Sequence, residues 1–228
     1  MGMSRTRIRS GLCAAFVAAL LGTGVAGLLG CGGGPQPLQG VEVRAYEGQD
    51  LSSINDMREN SIQGPQAVDL STYRLTITGL VEQPVSYAYA DVIDDHQLYT
   101  KVVTLNCVEG WSVDILWEGV LVRDLLNEAK PTEDARIAIF KCVDGYTTSV
   151  DVAYLQGRDI LLAYKMNGLV LPSERGFPFQ LVAEDKWGYK WAKWIEEIEL
   201  SSDIGYKGFW EEFGYSKDGS LSRPSFGN

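Results

Sequence analysis

Apolar and polar residues alternate in six stretches of the chain, over residues 73–78, 99–105, 136–141, 160–165, 179–183 and 194–200. A period of two sends successive side chains to opposite faces, so each stretch predicts a β-strand. One stretch has a helical period instead. Over 121–129, Leu121, Val122, Leu125, Leu126 and Ala129 fall on one face, and Pro131 stops the run. Asn167-Gly168 predicts a tight hairpin, because both residues accept positive φ at small cost. No repeat of solenoid length is present. The pattern predicts an α+β domain with a strand-rich mixed sheet and few helices, spanning residues 41–202. A polar tail over 203–228 carries Gly208-Phe209-Trp210, whose aromatic rings predict that it packs back on the domain.

The first thirty residues follow a different logic. Arg5, Arg7 and Arg9 precede an apolar run over 12–29 that is interrupted by glycines and closed by Leu28-Leu29-Gly30-Cys31. A basic start, an apolar middle and small residues before a cysteine describe a lipoprotein signal over 1–30, with Cys31 as the acylated residue of the mature chain. A retained spanning helix is the alternative, since the run is just long enough. Residues 31–40 then form a flexible tether containing Gly-Gly-Gly-Pro-Gln-Pro. The expected location is outside the cytoplasm, lipid-anchored to a membrane and facing the periplasm or the cell exterior.

The formal charge of −10 becomes −13 once the three signal arginines are removed. Such an acidic chain is a poor partner for nucleic acid. His96 is the only histidine and sits in the polar run Asp94-Asp95-His96, which predicts a solvated loop residue. A histidine-built zinc site, a Ser-His-Asp triad and haem attachment all lack parts. With Cys13 in the signal and Cys31 acylated, two cysteines remain, Cys107 and Cys142. Each ends a strand and enters a similar loop, Cys107-Val108-Glu109-Gly110-Trp111 and Cys142-Val143-Asp144-Gly145-Tyr146. Metal ligand, nucleophile and half of a disulfide are all open to a cysteine so placed. In an oxidising compartment a Cys107–Cys142 disulfide is the plain structural reading. A thiol-disulfide enzyme is a further one, although neither cysteine lies in a Cys-x-x-Cys loop.

The run Leu105-Asn106-Cys107-Val108-Glu109-Gly110-Trp111-Ser112, followed by Trp117-Glu118-Gly119-Val120, resembles the sulfite oxidase-type molybdopterin-binding oxidoreductase domain. So does the order that follows: Asp144-Gly145-Tyr146, Asn167-Gly168, Leu171-Pro172, Arg175-Gly176-Phe177-Pro178, Trp187-Gly188-Tyr189-Lys190, Lys193-Trp194 and Gly208-Phe209-Trp210-Glu211. The matches keep their order over about residues 70–215. The resemblance implies a fold of that family's type and a molybdenum-molybdopterin cofactor, with Cys107 as the thiolate ligand of the metal. A soft thiolate suits an oxo-metal centre that cycles by two electrons. It further implies a cofactor cradle that includes Asn106, Arg175, Gly188, Lys190 and Lys193, and Asp144 and Tyr146 on the catalytic side. Fork-shaped Arg and mobile Lys donors beside glycines are suited to a phosphate. Solvated surface charges are the alternative for these cations, and a simple turn is the alternative for Asp144-Gly145.

The implied activity is oxygen-atom transfer on a small oxo-anion or a sulfoxide. The chain has neither a haem motif nor a cysteine cluster for iron and sulfur, so a separate electron-transfer partner is expected, a cytochrome or a quinone-linked membrane protein. The chain departs from the family pattern at Arg175, where a His is frequent, at Gln180, where an Arg is frequent, and at Cys142. Its signal contains no adjacent arginine pair. These departures motivate the other reading, a cofactor-free homologue with a Cys107–Cys142 disulfide that serves as a binding or structural lipoprotein.

Overall fold

The computed structural model describes residues 40–227. The expected signal, Cys31 and most of the tether lie outside the described residues. Chain order runs β1 (Ala45–Tyr46), β2 (Gln49–Asp50), β3 (Leu75–Gly79), β4 (Val85–Tyr87), α1 (Tyr89–Asp94), β5 (Tyr99–Asn106), β6 (Ser112–Leu121), α2 (Val122–Ala129), β7 (Ile137–Cys142), β8 (Thr147–Asp151), α3 (Val152–Gly157), β9 (Leu161–Met166), β10 (Leu169–Val170), β11 (Gln180–Val182), β12 (Ile195–Ser201) and α4 (Phe209–Glu212).

Two five-stranded sheets carry the structure. One has the order β10-β9-β6-β5, with β11 also paired to β9, and all its pairs are antiparallel. The other has the order β4-β3-β12-β7-β8. It is mixed, because β3 and β12 run parallel while its other pairs are antiparallel. The α+β, strand-rich expectation holds, with four short helices among the described residues. A single apolar core draws on both sheets: Leu75, Ile77, Phe140 and Ile198 come from one, and Val103, Ile115, Trp117 and Leu162 from the other.

All six expected strands are present within about two residues of their predicted bounds. The longest strand, β6, escaped the period-two reading for a physical reason. It is buried on both faces over most of its length, so apolar residues occupy consecutive positions and the alternation disappears. Within β6, Gly119 lies at a shift in the register with β9. A Cβ there would stand 2.1 Å from the Leu162 carbonyl oxygen, so the close approach of the two strands requires glycine.

Helix α2 begins one residue later than expected and packs against β3 and β6 through Val122, Leu125, Leu126 and Ala129. It ends in a left-handed residue, Lys130, with φ 54°, immediately before Pro131. The expected hairpin is formed between β9 and β10, where Asn167 and Gly168 have φ of 46° and 77°. Asn167 also does more than turn the chain. Its side chain is fully buried, accepting from the Leu116 N–H and donating to Glu42 Oε1 and the Ser52 carbonyl. That binds the N-terminal segment to the first sheet.

His96 departs from its expected solvated position. Its ring stands edge-on to Tyr87 at 5.5 Å, and Nε2 lies 3.0 Å from Glu128 Oε1. A short helix followed at once by a turn folds the imidazole back over α1, where Nδ1 meets the carbonyls of Asp91 and Val92.

The C-terminal segment lies along residues 185–191. The Trp187 N–H donates to the Gly219 carbonyl, the Leu221 N–H to that of Asp185, and Lys186 Nζ bonds Asp218. Tyr189 donates its hydroxyl proton to the Ser216 carbonyl at 2.7 Å.

Candidate active site

The two cysteine loops are built alike. In the first, the Cys107 N–H donates to the Trp111 carbonyl and the Gly110 N–H to the Cys107 carbonyl. In the second, Cys142, Tyr146 and Gly145 repeat both bonds. Gly110 and Gly145 have φ of 85° and 80°, the left-handed conformation that closes a three-residue hairpin loop. The likeness visible in the sequence is thus a shared hairpin geometry. The first loop joins β5 to β6 and the second joins β7 to β8, so the cysteines terminate strands of different sheets.

That separation corrects one expectation. Cys107 and Cys142 are both free thiols, and no disulfide joins them. Cys142 is 3% exposed, and burial beside Asp144 raises its pKa far above the usual thiol range. It is held in the inert, protonated form. Cys107 is the chemically interesting one, because it lines a cavity of about 180 Å³. Burial raises its pKa too, with the Glu109 charge adding to the effect. The backbone N–H groups of Glu109 and Val108 and the nearby Arg58 guanidinium oppose it by favouring the thiolate. Asn60 Nδ2 stands 3.8 Å from the sulfur as a donor.

Of the residues implied by the resemblance, Cys107, Asp144, Tyr146, Arg175, Gly188 and Lys193 all border this cavity. Gly188 opens a 3-10 turn, Gly188–Lys190, that rests on the Cys107 loop. A Cβ on it would come within 3.3 Å of the Asn106 carbonyl oxygen and 3.5 Å of Cys107 Cα. Asp144 is 2% exposed, and its Oδ1 accepts the Tyr146 N–H at 3.0 Å, so it makes the turn and faces the cavity at once. Burial raises its pKa against the opposing Tyr146 N–H and the Lys193 charge. The Tyr146 hydroxyl donates to the Tyr189 carbonyl, which ties the second hairpin to the 188–190 turn.

Arg175 closes a second 3-10 turn, Ser173–Arg175, and donates from Nη2 to the Met57 carbonyl at 2.7 Å. Burial lowers its pKa, as it does that of Lys193. Lys193 Nζ donates to Glu59 Oε1 at 2.7 Å and lies 4.2 Å from the centre of the Trp194 ring.

Two implied residues are placed differently. Lys190 does not border the cavity. It is fully buried, with Nζ 2.5 Å from Glu211 Oε1. Gly188 faces Cys107, and two residues further round the tight turn the Lys190 side chain leaves on the other side, toward β8 and α4. Asn106 contributes its backbone next to Gly188, while its side chain turns back to the Thr104 carbonyl.

Sequence reasoning missed one wall of the cavity altogether. Residues 57–62 supply Met57, Arg58, Asn60, Ser61 and Ile62 to it, from a segment with no regular secondary structure and hence no periodicity to detect. It also left Trp210 and Tyr215, 5.6 Å apart and edge-on, without a role, yet both border the cavity.

Comparison with known proteins agrees with this geometry. Residues 62–210 match the family described as oxidoreductase molybdopterin binding domain. An uncharacterised oxidoreductase of Bacillus subtilis, YuiH, is 33% identical over 156 residues, which are 68% of this chain and 78% of the relative. The protein-methionine-sulfoxide reductase catalytic subunit MsrP of Pseudomonas syringae is 30% identical, over 58% of this chain and 44% of that protein. A putative protein-methionine-sulfoxide reductase subunit of Azospira oryzae, YedZ1, is 35% identical, over 65% of this chain and 56% of its own length. The chain therefore spans about half the length of these two reductase relatives. The sulfane dehydrogenase SoxCD of Paracoccus pantotrophus shares the fold, with a TM-score of 0.58 at 22% identity over 64% of this chain and 41% of that one. The chain belongs to the oxidoreductase molybdopterin binding domain family.

Proposed function

We propose that this protein is a molybdopterin-dependent oxidoreductase that reduces a sulfoxide by two-electron oxygen-atom transfer, working outside the cytoplasm on a lipid tether at Cys31. The observation that carries the reading is Cys107: a free, buried thiol that lines the cavity, with Arg58 and Asn60 on the same wall. The surrounding donor set fits the cofactor. A soft sulfur ligand is available, two cations border the cavity, Arg175 with N–H groups to spare and Lys193 paired with Glu59, and a glycine turn lies beside the sulfur. When bound, the molybdenum centre supplies the two-electron redox chemistry, and the protein supplies orientation and charge.

In this reading the Cys107 thiol would give up its proton and hold the metal as a thiolate. Arg175 and Lys193 would hold the phosphate, and Gly188 would let the backbone approach. Reduction of a sulfoxide to a thioether consumes two electrons and two protons and releases water. The Asp144 carboxyl borders the cavity with its pKa raised by burial, which places it to pass a proton toward the sulfoxide oxygen. Electrons arrive from a separate partner, a cytochrome or a quinone-linked membrane protein.

A sulfoxide is preferred to a free oxo-anion for two reasons. Arg58, Arg175 and Lys193 are balanced by Glu109 and Glu174 along the cavity and by Glu59, which pairs with Lys193, so the pocket is no funnel for anions. Trp111, Trp210 and Tyr215 line the same cavity, and aromatic edges attract sulfur. The names of the Pseudomonas and Azospira relatives point the same way. Native protein is expected to reduce methionine sulfoxide with a reduced dye as electron donor and, supplied instead with an oxidised dye as acceptor, to leave sulfite unoxidised. Sulfite oxidation without sulfoxide reduction would refute the substrate assignment.

A further inference from the structure

His96 does not border the cavity, yet its side chain is 7% exposed and both of its ring nitrogens are engaged. Nδ1 stands 3.2 Å from the Asp91 carbonyl oxygen and 3.1 Å from that of Val92, and Nε2 stands 3.0 Å from Glu128 Oε1. Carbonyl and carboxylate oxygens only accept hydrogen bonds. A neutral imidazole has one N–H, so one of its nitrogens would point a lone pair at an oxygen lone pair. The site asks for two N–H groups, and only the imidazolium has both.

The surroundings hold to that accounting. The Tyr87 hydroxyl donates to Glu128 Oε2 at 2.6 Å, and burial, with the Glu128 carboxylate beside it, raises the Tyr87 pKa well above the phenol range. Glu128 therefore accepts at both oxygens, and it has no other ion-pair partner among the described residues. The charged residues that precede His96 in the chain, Asp91, Asp94 and Asp95, are all acidic and favour a cation. The Asp91 carboxylate itself caps the Ala88 N–H.

Helix α1 has six residues, too few to be stable alone. Val92 is fully buried beneath it, and the imidazole closes its C-terminal carbonyls, where a cation suits the helix dipole. Glu128 lies in the last turn of α2, so the same ring clamps one helix to the other. At the start of α1 the Tyr89 ring lies 5.5 Å from Phe177 and 5.3 Å from Phe179, in the segment that follows Arg175.

We infer that His96 and Glu128 form a proton-dependent latch that seats α1 and, through Tyr89, the 177–179 segment beside the cavity wall. Below about pH 6.5, the ordinary histidine value, the unfolded chain carries the proton as well, and the latch contributes in full through the mildly acidic range. At higher pH the folded state has to hold a proton that the unfolded chain has released, and the contribution is lost.

With one histidine in the chain, isotope-labelled histidine reads this ring alone in nitrogen NMR of the full-length protein purified without a histidine tag. At about pH 7.5, above the ordinary histidine value, both ring nitrogens should carry protons in the folded protein and one should be bare after unfolding in urea. In Glu128→Gln the amide can donate to a bare Nε2, so the second proton is no longer needed. Between about pH 6 and pH 8.5 the wild type should lose about 2–4 °C of melting temperature relative to Glu128→Gln, what one hydrogen bond amounts to in a chain of this size. Asp144 titrates in both proteins, so the gap isolates the latch. Over the same interval amide exchange at 89–94 and at Phe177 and Phe179 should quicken in the wild type relative to the variant. A bare nitrogen in the folded ring at that pH, or a gap that stays constant with pH, overturns the latch. Exchange that quickens at 89–94 and not at Phe177 and Phe179 overturns its reach to the cavity wall.

Discussion

Lys190 and Glu211 form a buried ion pair at 2.5 Å, with both side chains 1% exposed. Thr148 donates its hydroxyl proton to the same carboxylate oxygen at 2.7 Å. The pair joins the turn beside Cys107 to the helix that brings Trp210 to the cavity. Desolvation pulls the Lys190 pKa down and the Glu211 charge resists it. Breaking such a pair leaves one charge buried without its partner, so Lys190→Met should cost about 3–5 kcal/mol in denaturant unfolding. The double variant Lys190→Met/Glu211→Leu should recover most of that loss. A single variant as stable as wild type would contradict the pairing.

Asp144 gives a pH signature. Its folded pKa is raised by burial, so the folded state binds the proton more tightly than the unfolded chain does. Below the ordinary Asp range both states are protonated and Asp144 has no effect. As the pH rises through the raised folded value, the ionised carboxylate becomes a cost to the fold that persists above it. Asp144→Asn keeps an acceptor for the Tyr146 N–H and carries no charge. It should be more stable than wild type at neutral pH, and the gap should close as the pH drops below the ordinary Asp range. Melting curves across that range check it, and a constant gap would contradict it. Turnover of a sulfoxide should fall in the same variant, since an amide cannot deliver the proton.

Much of this architecture is readable from residue order, and the exceptions have causes. Strands with one wet face announce themselves by alternation, as at 99–105. β6 does not, because neighbours on both sides bury it. The two cysteine hairpins are legible because an acidic-Gly-aromatic triplet follows each cysteine, and glycine is needed at the left-handed position. Lys190 illustrates the opposite case. In the sequence it stands beside Gly188 as one more cation of a phosphate cradle, and only the turn geometry and a carboxylate twenty-one residues away send it into the core. The 57–62 wall leaves no trace in periodicity, since its contacts with Cys107, Arg175 and Lys193 come from far along the chain.

The tether makes an independent prediction. Acyl chains add about 0.8 kcal/mol of membrane affinity for each buried methylene, so the proposed acylation of Cys31 would hold the protein durably. Cys31→Ala should abolish incorporation of labelled fatty acid and shift the protein from the membrane fraction. Retention in the membrane without label would instead indicate a spanning segment over 12–29.

The central claim is that Cys107 holds a molybdenum cofactor. The most direct measurement is the molybdenum and pterin content of wild-type protein and of Cys107→Ser, both purified from a molybdenum-replete native host. The wild type should carry about one molybdenum per chain, and Cys107→Ser should keep its fold while losing most of the metal, because an alcohol is a poor ligand for a soft oxo-metal centre. A wild-type protein free of molybdenum, or a Cys107→Ser variant with undiminished metal, would contradict it.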